Sequence, residues 1–180
     1  MRIISGKWGG RRIHPPTNMP HTRPTTDIAK EGLFNILQNR INFEGITTLD
    51  LFGGTGCISY ELASRGADKL TIIEKDPNMY NFIKKNLESF GATAQLLKMD
   101  VFSFLQTCTT QYDFIFAGPP YALGTIDELP KIIVAAKLIA PKGFFVLEHT
   151  PRNAYENYAG FAFVRNYGTT VFSFFNCDAH

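Results

Sequence analysis

The feature that most constrains the fold is a regular alternation of strand and helix patterns from residue 47 onward. Sequences such as Phe144-Phe145-Val146-Leu147 are apolar on successive residues, which is typical of strands covered on both faces. The pattern predicts an α/β fold with helices on both sides of a mainly parallel sheet. Strands are predicted at 47–52, 69–74, 94–99, 112–117 and 143–149, and helices at 55–65, 77–89, 101–108 and 126–139.

The C-terminal part of the chain departs from this alternation. Residues 161–166 and 170–176 are aromatic-rich, and Tyr167-Gly168-Thr169 joins them through a glycine that suits a turn. These two segments predict an antiparallel hairpin. A parallel sheet that closes with such a hairpin resembles the Rossmann-like fold of class I S-adenosylmethionine-dependent methyltransferases more than a nicotinamide-binding fold.

The N-terminal segment is basic. Residues 1–40 contain seven Lys or Arg and two acids, whereas residues 41–180 contain eleven and fourteen. Such an asymmetry is typical of an arm that binds a polyanion, and the alternative is a solvated terminal stretch. The candidate phosphate-binding cations are Arg2, Lys7, Arg11, Arg12 and Arg23.

The same segment contains a predicted N-terminal β-hairpin, with strands at 2–5 and 11–14, followed by a proline-rich loop at 15–24. Trp8 in the turn either stacks on a base or packs against the body, and packing is favoured. We therefore predict a basic extension at 1–24 and a methyltransferase domain at 25–180. The domain opens with a helix that begins near Thr25-Thr26-Asp27, and the predicted apolar face of this helix contains Ile28, Leu33, Phe34, Ile36, Leu37 and Ile41.

A glycine-rich turn follows the first strand, in Leu49-Asp50-Leu51-Phe52-Gly53-Gly54-Thr55-Gly56. Glycines let the backbone turn sharply there and let a cofactor approach, although an ordinary tight turn is the alternative. The nicotinamide fingerprint would require another glycine where the chain has Ser59. Asp50 is unfavourable beside a pyrophosphate but suits the cationic amino-acid part of S-adenosylmethionine. Asp50, Gly53, Gly54 and Gly56 are thus candidate cofactor residues.

Two further acids follow the next two strands. Glu74 ends the second strand, where a carboxylate can accept hydrogen bonds from both ribose hydroxyls. Asp100, followed by Val101, ends the third strand, where a carboxylate can accept from an adenine amino group. Each acid alone would more often be a helix cap or a solvated charge. Three acids at successive carboxyl ends of parallel strands, however, converge on the crevice where such sheets bind ligands.

The fourth strand ends in Ala117-Gly118-Pro119-Pro120-Tyr121. This sequence resembles the Asp/Asn-Pro-Pro-Tyr/Phe motif of methyltransferases that act on exocyclic amino groups of bases, although as an isolated string it would be a turn. In the motif, the prolines aim a carbonyl at the amine and the aromatic ring stacks on the base. Gly118 stands where the motif has Asp or Asn, so the side-chain acceptor is missing while Pro119, Pro120 and Tyr121 remain candidates.

Taken together, these motifs resemble the RsmD family of 16S rRNA guanine-N2 methyltransferases over nearly the whole chain. The discriminating part is N-terminal, because class I methyltransferases share the glycine loop. The resemblance rests on Arg2-Ile3-Ile4-Ser5-Gly6 with Trp8 and Arg11, on Arg23-Pro24-Thr25-Thr26-Asp27 with Glu31 and Leu33-Phe34-Asn35, on Leu49-Asp50-Leu51-Phe52, on Ser64-Arg65-Gly66-Ala67, and on Arg165, Tyr167 and Gly168.

The resemblance implies methyl transfer from S-adenosylmethionine to a guanine N2 in 16S rRNA. Asp50, Gly54, Gly56, Glu74 and Asp100 would bind the cofactor. The N-terminal cations and Thr25 would contact RNA, and Pro119, Pro120 and Tyr121 would hold the guanine. The catalytic role of the motif Asp does not carry over to Gly118. The alternative function is therefore a catalytically weakened, rRNA-binding member of the same lineage that acts in ribosome assembly.

Other classes of protein fit the sequence less well. The chain has no run of about eighteen apolar residues that would predict a transmembrane helix, and its first ten residues do not resemble a signal peptide. The spacing of Cys57, Cys108 and Cys177 matches neither a zinc site nor a disulfide framework, which indicates a reducing cytoplasm. We expect a cytoplasmic monomer without a metal, whose partner is 16S rRNA or the assembling small subunit.

Overall fold

The computed structural model describes residues 1–19 and 24–177. Within them the helices are α1 (Asp27–Leu37), α2 (Cys57–Ser64), α3 (Pro77–Phe90), α4 (Val101–Thr107) and α5 (Glu128–Ala135). The strands are β1 (Thr47–Leu51), β2 (Lys69–Ile73), β3 (Ala94–Leu97), β4 (Tyr112–Ala117), β5 (Ile139–His149), β6 (Phe161–Tyr167) and β7 (Thr170–Phe175).

The strands form one mixed sheet in the order β3-β2-β1-β4-β5-β7-β6. Strands β1 to β5 run parallel to one another, and β7 lies antiparallel between β5 and β6. This arrangement confirms the predicted α/β sheet and its closing hairpin. Strand β1 has β2 on one side and β4 on the other, so the connections that follow β1 and β4 run in opposite directions. They leave a crevice at the carboxyl edge of the sheet.

Several predicted boundaries differ from the structure by one to four residues, and in two cases the backbone explains why. Strand β1 ends at Leu51 because Phe52 adopts a left-handed conformation with φ 62°. Helix α5 ends at Ala135 because Lys137 has φ 56°, which no helix continues through, and β5 then begins at Ile139. Helix α2 begins only at Cys57, after the glycine turn.

The predicted apolar face of α1 is buried at Leu33, Phe34 and Leu37 and partly buried at Ile36, whereas Ile41 lies beyond the helix. The prediction for Ile28 was wrong, because this residue is 77 % exposed. The buried positions of this helix are Ala29, Lys30, Leu33, Phe34 and Leu37. Lys30 is buried because its ammonium pairs with the Glu61 carboxylate at 3.2 Å. That ion pair fixes the rotation of the helix, so Ile28, two residues earlier, faces away from the core.

The N-terminal segment forms a hairpin with one bridge, Arg2 to Arg12, and not two full strands. Backbone hydrogen bonds also cross it, from the Ile3 N–H to the Arg11 carbonyl and from the Ile13 N–H to the Met1 carbonyl. Backbone donors that these cross-strand bonds do not use are accepted by α2 instead. Ile4 and Ser5 donate their N–H groups to the Glu61 carboxylate at 2.9 and 3.1 Å. Lys7 and Trp8 donate theirs to the Ser64 carbonyl and hydroxyl. The hairpin is thereby docked on α2.

Side-chain packing completes this docking. Ile3 and Ile13 are buried with residues of α2, β2 and α3. The Trp8 ring stacks on Phe90 with centroids 4.8 Å apart, which confirms packing as its role in the folded chain. Within residues 1–19 and 24–177 no helix is long and apolar enough to cross a bilayer.

Candidate active site

A cavity of about 530 Å³ lies at the carboxyl edge of the sheet, where β1, β2, β3 and β4 end. Its size falls in the range of small-molecule and cofactor sites. The predicted residues that line it are Asp50, Gly53, Gly54, Glu74, Asp100, Val101, Gly118, Pro120 and Thr25. The fold thus brings the glycine turn, the three acids and the proline motif to one place.

The glycine turn shapes the floor of this cavity. Gly54 and Gly56 adopt positive φ angles of 58° and 82°, which L side chains rarely adopt. Position 53 has little room for a side chain, because a Cβ there would lie 2.7 Å from Ile72 Cγ2. Gly56 does not line the cavity, but it turns the chain into α2, whose first two residues do.

Glu74 fixes the turn from the neighbouring strand. Its Oε1 accepts the Gly54 N–H at 2.7 Å and its Oε2 accepts the Asp76 N–H at 2.8 Å. Burial raises the pKa of Glu74 above its usual range, and the two N–H donors oppose that rise. Each carboxylate oxygen keeps a second lone pair, so Glu74 can hold the loop and accept from a diol together.

Asp50 is buried at the end of β1, with 2 % of its surface exposed. Burial raises its pKa to about 7; the hydrogen bond from Ser59 Oγ at 2.7 Å lowers it and the nearby Glu74 carboxylate raises it. An unpaired carboxylate in such a place is costly unless a cation approaches it. The cavity therefore offers a site for a positively charged group beside Asp50.

Asp100 combines two roles that the sequence presents as alternatives. Its Oδ2 accepts the Ser103 N–H at 3.0 Å as the N-cap of α4, and the residue also lines the cavity. Its exposed carboxylate can accept a further hydrogen bond from a ligand. Val101 beside it adds an apolar wall.

The proline motif follows β4. Gly118 and Pro120 line the cavity, whereas Pro119 is buried and Tyr121 is half-buried outside the cavity wall. A Cβ built on Gly118 would lie 3.0 Å from Phe116 Cε1 and 3.8 Å from Glu148 Oε1. A side chain at 118 would therefore need only a small shift of the Phe116 ring.

Sequence reasoning missed Glu148, which lies beside Gly118. It is 3 % exposed and its Oε1 accepts a hydrogen bond from Thr25 Oγ1. The signal in the sequence is an acid directly after four apolar residues at the end of a buried strand. Thr25 itself is buried in the cavity wall, so its predicted contact with RNA stays a prediction.

The predicted RNA-binding cations lie away from the sheet interior. Arg2, Lys7, Arg11 and Arg12 are exposed, and Arg23 lies outside the described residues. The Arg11 guanidinium packs over the Phe90 ring at 4.2 Å and donates to Ser89 Oγ. These cations belong to a segment that α2 holds rigidly. Among residues 1–19 and 24–177, no cluster of His, Cys, Asp or Glu could hold a metal ion.

Comparison with known proteins agrees with this geometry. The family described as Conserved hypothetical protein 95 matches residues 1–176. Ribosomal RNA small subunit methyltransferase D of Escherichia coli K12 is 32% identical over 154 residues, which cover 85% of this chain and 76% of that protein. The structure of a hypothetical protein from Thermus thermophilus has a TM-score of 0.85 at 27% identity, covering 98% of this chain and 99% of the other.

A more distant structure bears on the chemistry of the site. The T. thermophilus 16S rRNA N2 methyltransferase RsmC, solved with AdoMet and guanosine, has a TM-score of 0.67 at 29% identity. The match covers 84% of this chain and 43% of that one. The sheet described above is accordingly that of S-adenosylmethionine-dependent methyltransferases. The chain belongs to the family of ribosomal RNA small subunit methyltransferase D.

Proposed function

We propose that this chain transfers a methyl group from S-adenosylmethionine to the exocyclic N2 of a guanine in 16S rRNA. The observation that carries the proposal is the cavity in which three acids from β1, β2 and β3 face the proline motif that follows β4. In this proposal the partner is 16S rRNA or the assembling small subunit, and the chain acts as a monomer in the cytoplasm.

The residues present fit the cofactor. Asp50 is a buried carboxylate that a nearby cation would stabilise. The amino-acid part of S-adenosylmethionine carries both an ammonium and a sulfonium. Glu74 has lone pairs for the ribose hydroxyls, and Asp100 has one for the adenine amino group. The glycine turn lets the backbone approach the ligand closely. Val101 would pack against the adenine ring.

The proline motif would hold the target base. Pro119 and Pro120 fix the backbone after β4, so that a main-chain carbonyl is available to accept an amine hydrogen. Tyr121 supplies an aromatic ring for stacking. When bound, the cofactor supplies the methyl group: the nitrogen lone pair forms the new bond, the old bond's electrons stay on sulfur, and a proton leaves to water. The protein's part is orientation, exclusion of water and stabilisation of the developing positive charge.

Gly118 favours a second candidate function, a protein that binds ribosomal RNA and the cofactor but transfers the methyl group slowly. A preorganised acceptor removed from a transition state typically costs about 3 kcal/mol, or roughly a hundredfold in rate. Transfer of radiolabelled methyl from S-adenosylmethionine to small-subunit particles and to free 16S rRNA separates the two. The enzyme labels the RNA over repeated turnovers, whereas the weakened member binds the particles and labels them about a hundredfold more slowly.

The first prediction concerns Glu74. Replacing it with alanine removes the ribose acceptor and loosens the Gly54 turn, so the affinity for S-adenosylmethionine should fall by about 2 kcal/mol. Glu74→Gln keeps one carbonyl oxygen and should lose less. Calorimetric titration of both variants measures the effect, with exposed Glu88→Ala as a control. Unchanged affinity in Glu74→Ala would remove this residue from the site.

The second prediction concerns the N-terminal cations. Binding of 16S rRNA should weaken with salt, and Arg11→Gln with Arg12→Gln should reduce the slope of log affinity against log salt by about 1.4 to 1.8. A matched variant loses two exposed lysines at the start of β5, Lys137 and Lys142, which do not belong to the hairpin. It should leave the slope unchanged. Equal slopes in both double variants would show that the hairpin is only solvated.

A further inference from the structure

A buried carboxylate lies where the motif's acidic side chain is missing. Ala117 of β4 pairs with Leu147 of β5, so Gly118 and Glu148 follow side by side on neighbouring strands. Glu148 Oε1 would lie 3.8 Å from a Cβ at position 118. A carboxyl group like that of the motif Asp is thus present beside position 118, supplied from the next strand.

Thr25 connects this carboxyl group to the cavity. A threonine hydroxyl has one proton and two lone pairs, and the Thr25 proton is directed at Glu148 Oε1. The hydroxyl oxygen can therefore only accept from a third group. Thr25 lines the cavity together with Gly118 and Pro120, so this acceptor is available beside the proline motif.

We propose that Thr25 Oγ1 accepts one hydrogen of the target amine and that Glu148 is the positioning residue that orients this hydroxyl. The pair replaces the side-chain acceptor that Gly118 lacks, while a carbonyl of the proline motif accepts the other hydrogen. Neither residue takes an atom from the substrate. This inference rests on the proposed function, because the amine is the substrate of that reaction. With Thr25 and Glu148 in these roles, methyl transfer should be faster than expected for a site whose side-chain acceptor is missing at Gly118.

The Thr25 hydroxyl can be removed almost without changing shape. Thr25→Val should slow single-turnover methyl transfer to small-subunit particles by about a hundredfold, because one preorganised hydrogen bond is lost. Thr25→Ser keeps the hydroxyl and should stay within about threefold of the wild type. The matched control is Thr26→Val, since Thr26 is exposed and only caps α1. Calorimetry should give similar cofactor affinity for all four proteins.

The carboxylate can also be moved from one strand to the other. Glu148→Gln should lower the single-turnover rate at least tenfold, and adding Gly118→Asp to it should recover about tenfold, because an acceptor returns to the same place. Gly118→Asp alone puts two carboxylates side by side and should gain much less. Recovery in the double variant is a readout that a merely structural role of Glu148 would not produce.

The outcomes separate this inference from the function on which it rests. No transfer by the wild type overturns both. If the wild type transfers the methyl group and the rates of Thr25→Val and Glu148→Gln are unchanged, the proposed roles of Thr25 and Glu148 are wrong and the proposed function stands. A slow Glu148→Gln that Gly118→Asp does not rescue overturns the role of Glu148. Should Glu148→Gln fail to fold, Thr25→Val and Thr25→Ser decide the question.

Discussion

Replacing Glu61 with alanine is expected to lower the free energy of unfolding by about 3–5 kcal/mol. The Glu61 side chain is fully buried, and it pairs with Lys30 at 3.2 Å and Arg65 at 2.9 Å. It also accepts the Ile4 and Ser5 N–H groups of the hairpin. The variant leaves a buried ammonium and two backbone donors without their acceptor, and each such group is costly.

The effect should also reach the hairpin. Lys30 Nζ donates to the Arg2 carbonyl at 2.6 Å, so the ion pair holds the hairpin on both sides. Denaturant unfolding measures the stability, and hydrogen exchange of the Ile4 and Ser5 amides reports the docking. Glu128→Ala is the control, because its pair with Lys131 at 3.5 Å is exposed and should contribute at most about 1 kcal/mol. A similar loss in both variants would contradict the anchoring role of Glu61.

Asp50→Asn is expected to stabilise the cofactor-free protein while weakening cofactor binding. Burial raises the pKa of Asp50 to about 7, whereas an unfolded chain ionises near 3.8. Each unit of pKa corresponds to about 1.4 kcal/mol, so the ionised Asp50 costs the folded protein on the order of 4 kcal/mol above pH 7. Asparagine removes that cost and still accepts from Ser59.

The sign of the pH dependence follows from the raised pKa. Between about pH 4 and 7 the folded protein keeps a proton that the unfolded chain has released, so this group's contribution to stability falls as the pH rises. Unfolding at pH 5 and pH 8 should therefore show a gain for Asp50→Asn mainly at pH 8. Asp100→Asn, at an exposed cap, should show no such gain. A destabilised Asp50→Asn at pH 8 would contradict the account of the buried charge.

Cofactor affinity should change in the opposite direction. With no carboxylate to face the cationic amino-acid part, Asp50→Asn should bind S-adenosylmethionine about 2 kcal/mol more weakly at pH 8. Wild-type affinity should itself fall between pH 8 and pH 6, because Asp50 becomes protonated over that range. Calorimetry at both pH values tests this. Affinity independent of pH would place the cationic group elsewhere.

The sheet could be predicted from the sequence because its apolar segments are periodic and long. Ile28 and the ends of β1 and α5 were misassigned because each depends on a contact or a backbone conformation that no local pattern contains. Ile28 fits the apolar period of α1, but the buried pair of Lys30 with Glu61 sets the rotation of that helix. The docking of the hairpin depends on Glu61, 56 and 57 residues away in sequence, which accepts two of its backbone donors.

The candidate site was predicted only in part for a similar reason. Asp50, Glu74 and Asp100 are visible because each follows a strand, and the ends of parallel strands meet at one edge. Glu148 also follows an apolar run, but nothing local connects it to Gly118 or to Thr25. Only the register of β4 with β5 places these residues together.

The most direct test of the account is the chemical identity of the product. Small-subunit particles are incubated with the protein and S-adenosylmethionine, and the 16S rRNA is then digested and examined by nucleoside mass spectrometry. The account predicts one new N2-methylguanosine per particle, with its formation strongly slowed in Thr25→Val. A methyl group on another atom of guanine, on adenine, or on no nucleoside at all would contradict it.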